Sequence, residues 1–260
     1  MAEKISIITI SYNSETTIEK TIKSVLKQSY RPLEYVFVDG GSKDGTIEII
    51  ESYLPQLNNC GIETSFKSEP DKGISDAFNK GIERSTGDII GIINSDDQLA
   101  ENVIQKVADK IGKCDVICGD CLWIDEENEL KYIRKSKMEL DKLKYEMVLM
   151  HPTCFVRKSA YITWGGFDVS FKYVMDKELM ARFYRNGAKF EYIPEVLAIM
   201  YAGGASDANT KKVFEEGIRV AECNGVPKIF ALIRARIKGF QTKAIQKIKK
   251  NKKLWKLIKR

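Results

Sequence analysis

Asp88-Ile89-Ile90-Gly91-Ile92-Ile93-Asn94-Ser95-Asp96-Asp97 decides how the rest of the chain is read. Its unbroken apolar run predicts a buried strand, because a strand covered on both faces loses the polar alternation of a half-exposed one. Two adjacent carboxylates stand just past its end, and open α/β sheets bind ligands at that edge. Asp96 and Asp97 offer hard oxygen donors, which suit Mg²⁺ or Mn²⁺ carrying a substrate diphosphate better than zinc. The same pair can instead cap a helix predicted over 99–111.

Working outward toward the N-terminus, residues 5–12 form a β-branched apolar run, and Asn13-Ser14 opens a helix over 16–28 that Pro32 ends. A second buried strand, 33–38, runs into Asp39-Gly40-Gly41-Ser42. Asp44-Gly45-Thr46 then starts a helix that reaches about residue 54. This βαβα beginning calls for parallel strands with ligands at their ends. A third strand covers 62–68, and Glu69-Pro70-Asp71-Lys72-Gly73 is a polar turn. Ser75-Asp76 caps a helix to about 84.

Toward the C-terminus the pattern predicts a strand over 115–124, a hairpin partner over 130–135 and a helix over 138–147. A strand over 151–156 and a short helix over 158–162 follow. Gly165-Gly166-Phe167-Asp168 turns the chain toward a helix over 176–185, and 190–198 is the last core strand. The fold class is therefore α/β, a Rossmann-like mixed and mainly parallel sheet flanked by helices. Residues 1–226 form the domain, with halves at about 1–110 and about 111–226.

A hydrophobic fraction of 43% with 30% charged residues is that of a soluble globular protein. The net charge of +6 is unevenly placed. Residues 227–260 hold thirteen Lys or Arg and no Asp or Glu, so the body before them is acidic overall. This tail reads as a basic amphipathic helix, with Ile229, Ile233, Ile237, Phe240, Ile245 and Ile248 along one face, extended by Leu254, Trp255, Leu257 and Ile258. It suits the surface of an anionic membrane; packing on the body or a partner, and RNA binding, are its rivals. Phe240 and Trp255 are too few for a stacking platform, so no nucleic acid is expected.

No signal peptide or membrane span is read, so a cytoplasmic protein, peripheral at the inner face of the membrane, is expected. The six cysteines lack a disulfide spacing. Cys114, Cys118 and Cys121 have no fourth zinc ligand nearby, since His151 is the single histidine.

The predicted strand ends gather Tyr12-Asn13, Asp39, the turn from Asp71 to Asp76, and Asp96-Asp97. A nucleotide can lie across them, with Tyr12 and Asp39 at the base and ribose, and Asp96 and Asp97 at the ribose and metal-bound diphosphate. Ser11-Tyr12-Asn13-Ser14 lacks the glycine-rich turn of a dinucleotide site, and no Walker phosphate loop is present.

Five ordered motifs carry a resemblance to the family 2 glycosyltransferases of the GT-A fold. They are Ile7-Ile8-Thr9-Ile10-Ser11-Tyr12-Asn13; Tyr35-Val36-Phe37-Val38-Asp39-Gly40-Gly41-Ser42-Lys43-Asp44-Gly45-Thr46; Gly73-Ile74-Ser75-Asp76-Ala77-Phe78-Asn79-Lys80-Gly81; Asn94-Ser95-Asp96-Asp97; and Gly165-Gly166-Phe167-Asp168 with Met175-Asp176-Lys177-Glu178-Leu179 and Arg182. The similarity spans about residues 4–206. It implies an inverting transfer from a nucleotide sugar to an acceptor hydroxyl, with Mn²⁺ or Mg²⁺ as cofactor. It also implies that Asp39 contacts the base, Tyr12 stacks near it, Asp76 lines the donor site, Asp96 contacts the ribose and Asp97 ligates the metal. Asn94 and Ser95 stand where further acids often occur in the family.

The resemblance implies Asp176 as the general base. A helix start also favours an ionised carboxylate, although a plain N-cap would use the same residue. Glu178 is a second candidate, and Arg182 supports the helix or pairs with an acid. His151 either lines the substrate site or is a buried structural ring. Trp164 and Tyr173 either stack on a sugar or pack in the core. Gly203-Gly204-Ala205-Ser206 resembles a loop that closes over the diphosphate, with Lys211 and Lys212 either assisting or solvated. A UDP-sugar donor and a glycan or lipid-diphosphate-linked acceptor, as in surface-polysaccharide assembly, complete the expectation. A nucleotidyltransferase would want a Gly- and Arg/Lys-rich loop near residues 11–15, and a non-catalytic nucleotide-sugar or RNA-binding module would not need Asp176.

Overall fold

The computed structural model describes residues 2–202 and 210–249. Strand β1 (Ile5–Ser11) lies between β2 (Leu33–Asp39) and β4 (Ile89–Ile92), parallel to both, and β3 (Ile62–Ser68) is parallel to β2. Helices α1 (Ile18–Leu26), α2 (Thr46–Asn59) and α3 (Ile74–Arg84) make the crossovers. The chain builds outward from β1 to β3, then returns to the other side of β1 as β4. That reversal is a topological switch point, and it opens a crevice at the strands' carboxyl ends.

Strand order continues β4-β8-β6-β9-β5, with β7 on β6. The added strands are β5 (Gln98–Leu99), β6 (Val116–Asp125), β7 (Leu130–Arg134), β8 (Phe155–Arg157) and β9 (Phe190–Tyr201). The first four strands pair only in parallel with one another, whereas β8 is antiparallel to β4 and β6, and β5 to β9. One nine-stranded mixed sheet results, with apolar residues on both faces. Ile8, Val36, Val38, Ile90 and Ile92 pack under α3, α5 (Lys158–Trp164) and α6 (Met175–Arg185). Ile7, Tyr35, Phe37, Ile89 and Ile93 pack under α1, α2 and α4 (Val103–Lys110). Gly91 sits where an added Cβ would lie 2.5 Å from the Phe155 ring, so its lack of a side chain lets β8 close on β4.

Several predicted elements change. The helix expected over 99–111 starts only at Val103, because Gln98 and Leu99 pair with Ile199 and Ala198. Asp96 and Asp97 therefore cap no helix. Helix α2 continues through Pro55 to Asn59. The helix expected over 138–147 shrinks to a 3-10 turn, Leu140–Lys144. Lys137 N–H donates to Val148 C=O at 2.8 Å, which holds together two ends that a ten-residue α-helix would set about 15 Å apart. The strand expected over 151–156 begins only at Phe155, after a 3-10 turn, His151–Thr153, in which Pro152 has no N–H to give a ladder.

Beyond β9, α7 (Thr210–Cys223) and α8 (Lys228–Lys249) close the described chain. Helix α8 turns Ala231 into a small cluster with Ala221 and Val226, and Gly239 toward Phe214. Ile229, Phe230, Ile233 and Ile237 stay 49–61% exposed. No helix among the described residues is long and apolar enough to cross a membrane. The expected loop at Gly203 to Ser206 and the apolar positions from Phe240 onward lie outside the described side chains.

Candidate active site

The loops that follow β1 and β2 are bonded to one another. Asn13 N–H donates to Ser42 Oγ (2.8 Å), Lys43 N–H to Asn13 Oδ1 (2.8 Å), Ser14 N–H to Thr46 Oγ1 (2.7 Å) and Gly45 N–H to Glu15 Oε2 (2.7 Å). Asn13 adopts φ 50°, a left-handed conformation that Asn tolerates better than most residues. The Ser14 and Ser95 hydroxyls, 2.8 Å apart, tie this pair of loops to the turn after β4.

Register explains Asp39. Ser11, Asp39 and Ser68 occupy one row across β1, β2 and β3. The fully buried carboxylate accepts from Ser11 Oγ (3.0 Å), Ser68 Oγ (2.6 Å), Ser42 Oγ (2.5 Å) and the N–H groups of Gly41 (3.0 Å) and Ser42 (2.8 Å). Burial pushes its pKa up, but the bonds from Ser42, Ser68 and Ser11 outweigh burial and hold it below the ordinary Asp value. Next to it, a Cβ on Gly40 would fall 2.6 Å from Asp71 Oδ2 and 3.4 Å from the Tyr12 ring. Tyr12, 63% exposed, and Asp71 thus face each other across a glycine floor. Asp71, which sequence reasoning placed only in a turn, holds that turn by accepting Gly73 N–H at 2.7 Å. Asp76, the sequence candidate, instead accepts Lys72 N–H (3.0 Å) and pairs with Lys80 (3.4 Å) at the start of α3. Its carboxylate stabilises the helix start, the capping role that the sequence also suggested.

Asp96 and Asp97 lie in the turn that ends β4, where Asp97 N–H bonds Asn94 C=O at 3.1 Å and Thr21 Oγ1 donates to Asp97 C=O at 2.6 Å. Asp97 is 2% exposed and Asp96 is exposed. Among the described residues the side-chain donor to Asp97 is Asn94 Nδ2, at a long 3.4 Å, beside a backbone hydrogen bond from Tyr201. Burial first, then the Asp96 charge, push Asp97 up to about 8. Among the described residues neither acid has a Lys or Arg in ion-pair range. This acid pair fits a divalent cation, which its buried member otherwise lacks as a counter-charge. No cluster of three His, Cys, Asp or Glu among the described residues could hold a metal alone. A hard cation here would therefore complete its shell with substrate phosphates and water, the usual arrangement for Mg²⁺. Cys118 and Cys121 are thiols that burial pushes up to about 12, which disfavours the thiolates zinc needs.

Because β8 runs antiparallel to β4 with Phe155 opposite Gly91, the residues just before β8 lie at the same sheet edge as the turn at 94–97. His151 sits there, its ring packed on Phe78 and Phe167 with centroids 5.9 Å from each. Burial lowers its pKa against an opposing pull from nearby Asp176, so the imidazole is neutral at pH 7. It is both a packed ring and a neighbour of Asp176. Asp176, the second residue of α6, is partly exposed and accepts Lys177 N–H at 2.7 Å. Glu178 is engaged elsewhere. It takes Arg182 Nε and Nη2, both at 2.9 Å, while Arg182 also donates to the carbonyls of Trp164, Gly165 (3.0 Å) and Gly166 (2.6 Å). Arg182 thereby clamps the turn at 164–166 onto α6.

Trp164 is half-buried, with its ring 5.5 Å from that of Phe183. Asn79 performs a structural task visible only in three dimensions: Nδ2 donates to Phe167 C=O and Oδ1 accepts Phe167 N–H, both at 2.8 Å. The edge therefore combines an aromatic and glycine floor, a pair of acids, one buried and one exposed, without a counter-charge among the described residues, and a separate carboxylate at a helix start. Such a set can seat a nucleoside diphosphate and take a proton from a hydroxyl beside it.

Glycosyl transferase family 2 matches residues 6–165. A PGL/p-HBAD biosynthesis glycosyltransferase of Mycobacterium tuberculosis is 26% identical over 239 residues, which cover 90% of this chain and 91% of the relative. Among solved structures, S. aureus TarS 1-349 in complex with UDP-GlcNAc superposes with a TM-score of 0.69 at 18% identity, over 88% of this chain and 69% of that one. The chain spans 39% of a longer TarS structure. The mannosyltransferase PcManGT from Pyrobaculum calidifontis, in complex with GDP-Man and Mn²⁺, superposes with a TM-score of 0.64 at 15% identity, over 91% and 74% of the two chains. At these identities the structural likeness shows a shared fold.

Proposed function

The chain belongs to glycosyl transferase family 2, and from that premise we propose that it is an inverting enzyme moving a sugar from a UDP-sugar to a hydroxyl of a glycan or lipid-linked glycan. The observation that carries this reading is the pairing of Asp97, buried without a cationic partner, with Asp176 at the start of a helix. One suits a leaving diphosphate with its cation and the other suits an acceptor proton.

Tyr12 stacks on the uracil above the Gly40 floor, and the base exchanges for one of the serine donors on Asp39. Asp96 meets the ribose. A divalent cation held by Asp97 would neutralise the charge that develops on the leaving diphosphate. Asp176 accepts the acceptor's hydroxyl proton as the new glycosidic bond forms on the sugar face opposite the departing UDP. The neutral His151 beside it adds no competing positive charge. Helix α8 presents Ile229, Phe230, Ile233 and Ile237 beside Lys228, Arg234 and Arg236, and this face lies on an anionic membrane, bringing the site to a lipid-linked acceptor.

The test is Mn²⁺-dependent hydrolysis of UDP-glucose, UDP-galactose and their N-acetyl forms, followed by transfer. Asp176→Asn should lower the rate by about 10²–10⁴ while UDP still binds; an intact rate refutes the assignment. For the tail, the full chain should float with anionic vesicles, and Phe230→Asp with Ile233→Asp should stay behind. Equal flotation refutes the membrane surface.

A further inference from the structure

Glu216 lies on α7, outside the matched residues 6–165 and outside every motif quoted above. Its buried carboxylate accepts three consecutive backbone N–H groups: Lys172 at 2.9 Å, Tyr173 at 2.8 Å and Val174 at 3.1 Å. Helix α6 begins at the next residue, and Asp176 is its second. A negative charge is favoured at a helix start, and charge-assisted bonds to three amides fix a backbone far better than one neutral contact does.

Helix α7 grips the same segment at two further points. Arg219 donates to Ser170 Oγ (2.9 Å) and Ser170 C=O (3.2 Å), with its guanidinium 4.3 Å from the Phe171 ring centroid. On the other side of Asp176, buried Lys177 donates Nζ to Gly217 C=O at 3.3 Å. Asp176 itself takes a hydrogen bond from its own helix, so its carboxylate sits wherever the first turn of α6 sits. We infer that Glu216 is a positioning residue: its three hydrogen bonds fix the turn at 172–174 and thereby aim Asp176 at the acceptor hydroxyl. This rests on the reading of Asp176 as the base. A misplacement of about 1 Å can cost on the order of a hundredfold in rate.

The test uses full-length Glu216→Gln, in which an amide N–H₂ replaces one of the accepting oxygens. Hydrogen exchange at the amides of 172–174 should quicken tenfold or more. Mn²⁺-dependent hydrolysis of the UDP-hexose that the unaltered enzyme accepts should lose tenfold or more in kcat, with KM and UDP affinity by calorimetry within twofold. Unchanged exchange, or a loss confined to KM, overturns the inference. If Glu216→Gln does not fold, Arg219→Gln should give the same two changes at smaller size, and no change there overturns it equally. Loss in Asp176→Asn beside an unaltered Glu216→Gln defeats the positioning role alone; full hydrolysis in Asp176→Asn defeats it together with the base.

Discussion

Asp39 and Asp97 are both buried acids at the carboxyl edge of the parallel strands that flank β1, yet their surroundings differ in one respect. Five hydrogen bonds from Ser11, Gly41, Ser42 and Ser68 satisfy Asp39, whose pKa lies below the ordinary value. Among the described residues Asp97 has one long side-chain contact, a backbone hydrogen bond from Tyr201 and a carboxylate neighbour, and burial pushes it up to about 8. The base end of the edge is finished by the protein itself. At the Asp97 end folding supplies no counter-charge, so burial favours the protonated acid, and under the proposed function a cation with its substrate would supply the compensation that lets it ionise.

The comparison breaks most visibly in catalysis. Asp97→Asn should lower sugar transfer by about 10²–10³ through the lost stabilisation of the leaving diphosphate, without lowering the melting temperature at neutral pH, because the amide matches the uncharged, protonated acid that burial favours below about pH 8. Next in size, Asp39→Asn should cost about 3 kcal/mol of folding stability, since charge-assisted bonds are lost and an amide N–H₂ is set against donors. Urea unfolding measures it, and a loss under about 1 kcal/mol would show that the five bonds matter little.

The pH dependence should carry opposite signs at the two acids. Asp97 is protonated in the folded state up to about pH 8 but ionises near 4 when unfolded, so its contribution to stability falls as pH rises between those values. Asp39, with a depressed folded value, contributes fully above about pH 4 and loses that contribution as pH falls below it. The melting temperature without ligands should therefore drop from pH 5.5 to pH 8, and Asp97→Asn should flatten the drop. Smallest, Ser68→Ala should cost about 1 kcal/mol, one donor of five.

What the sequence disclosed follows the same division. The buried strands, Asp39 and the turn at 94–97 were legible because their signals are local: an apolar run, then polar residues within a few positions of its end. The serine row on Asp39 depends on register, which no periodicity announces. The turn from Asp71 to Asp76 is legible as polar, but not which carboxylate does what: Asp76 accepts Lys72 N–H at the start of α3, and Asp71, five residues earlier, is the one beside Tyr12. The acceptor side was less legible still. Asn79 holds Phe167 across 88 positions and Glu216 holds Lys172 across 44. Likewise, Gln98 and Leu99 become a strand because β9 is there to pair with them, and not through their own propensity.

The most direct measurement is calorimetric titration of UDP into the full chain with and without Mn²⁺, for the unaltered protein, Asp97→Asn and Asp176→Asn. The account predicts that Mn²⁺ strengthens UDP binding tenfold or more in the unaltered protein and in Asp176→Asn, and that this gain disappears in Asp97→Asn. An undiminished Mn²⁺ effect in Asp97→Asn would contradict it.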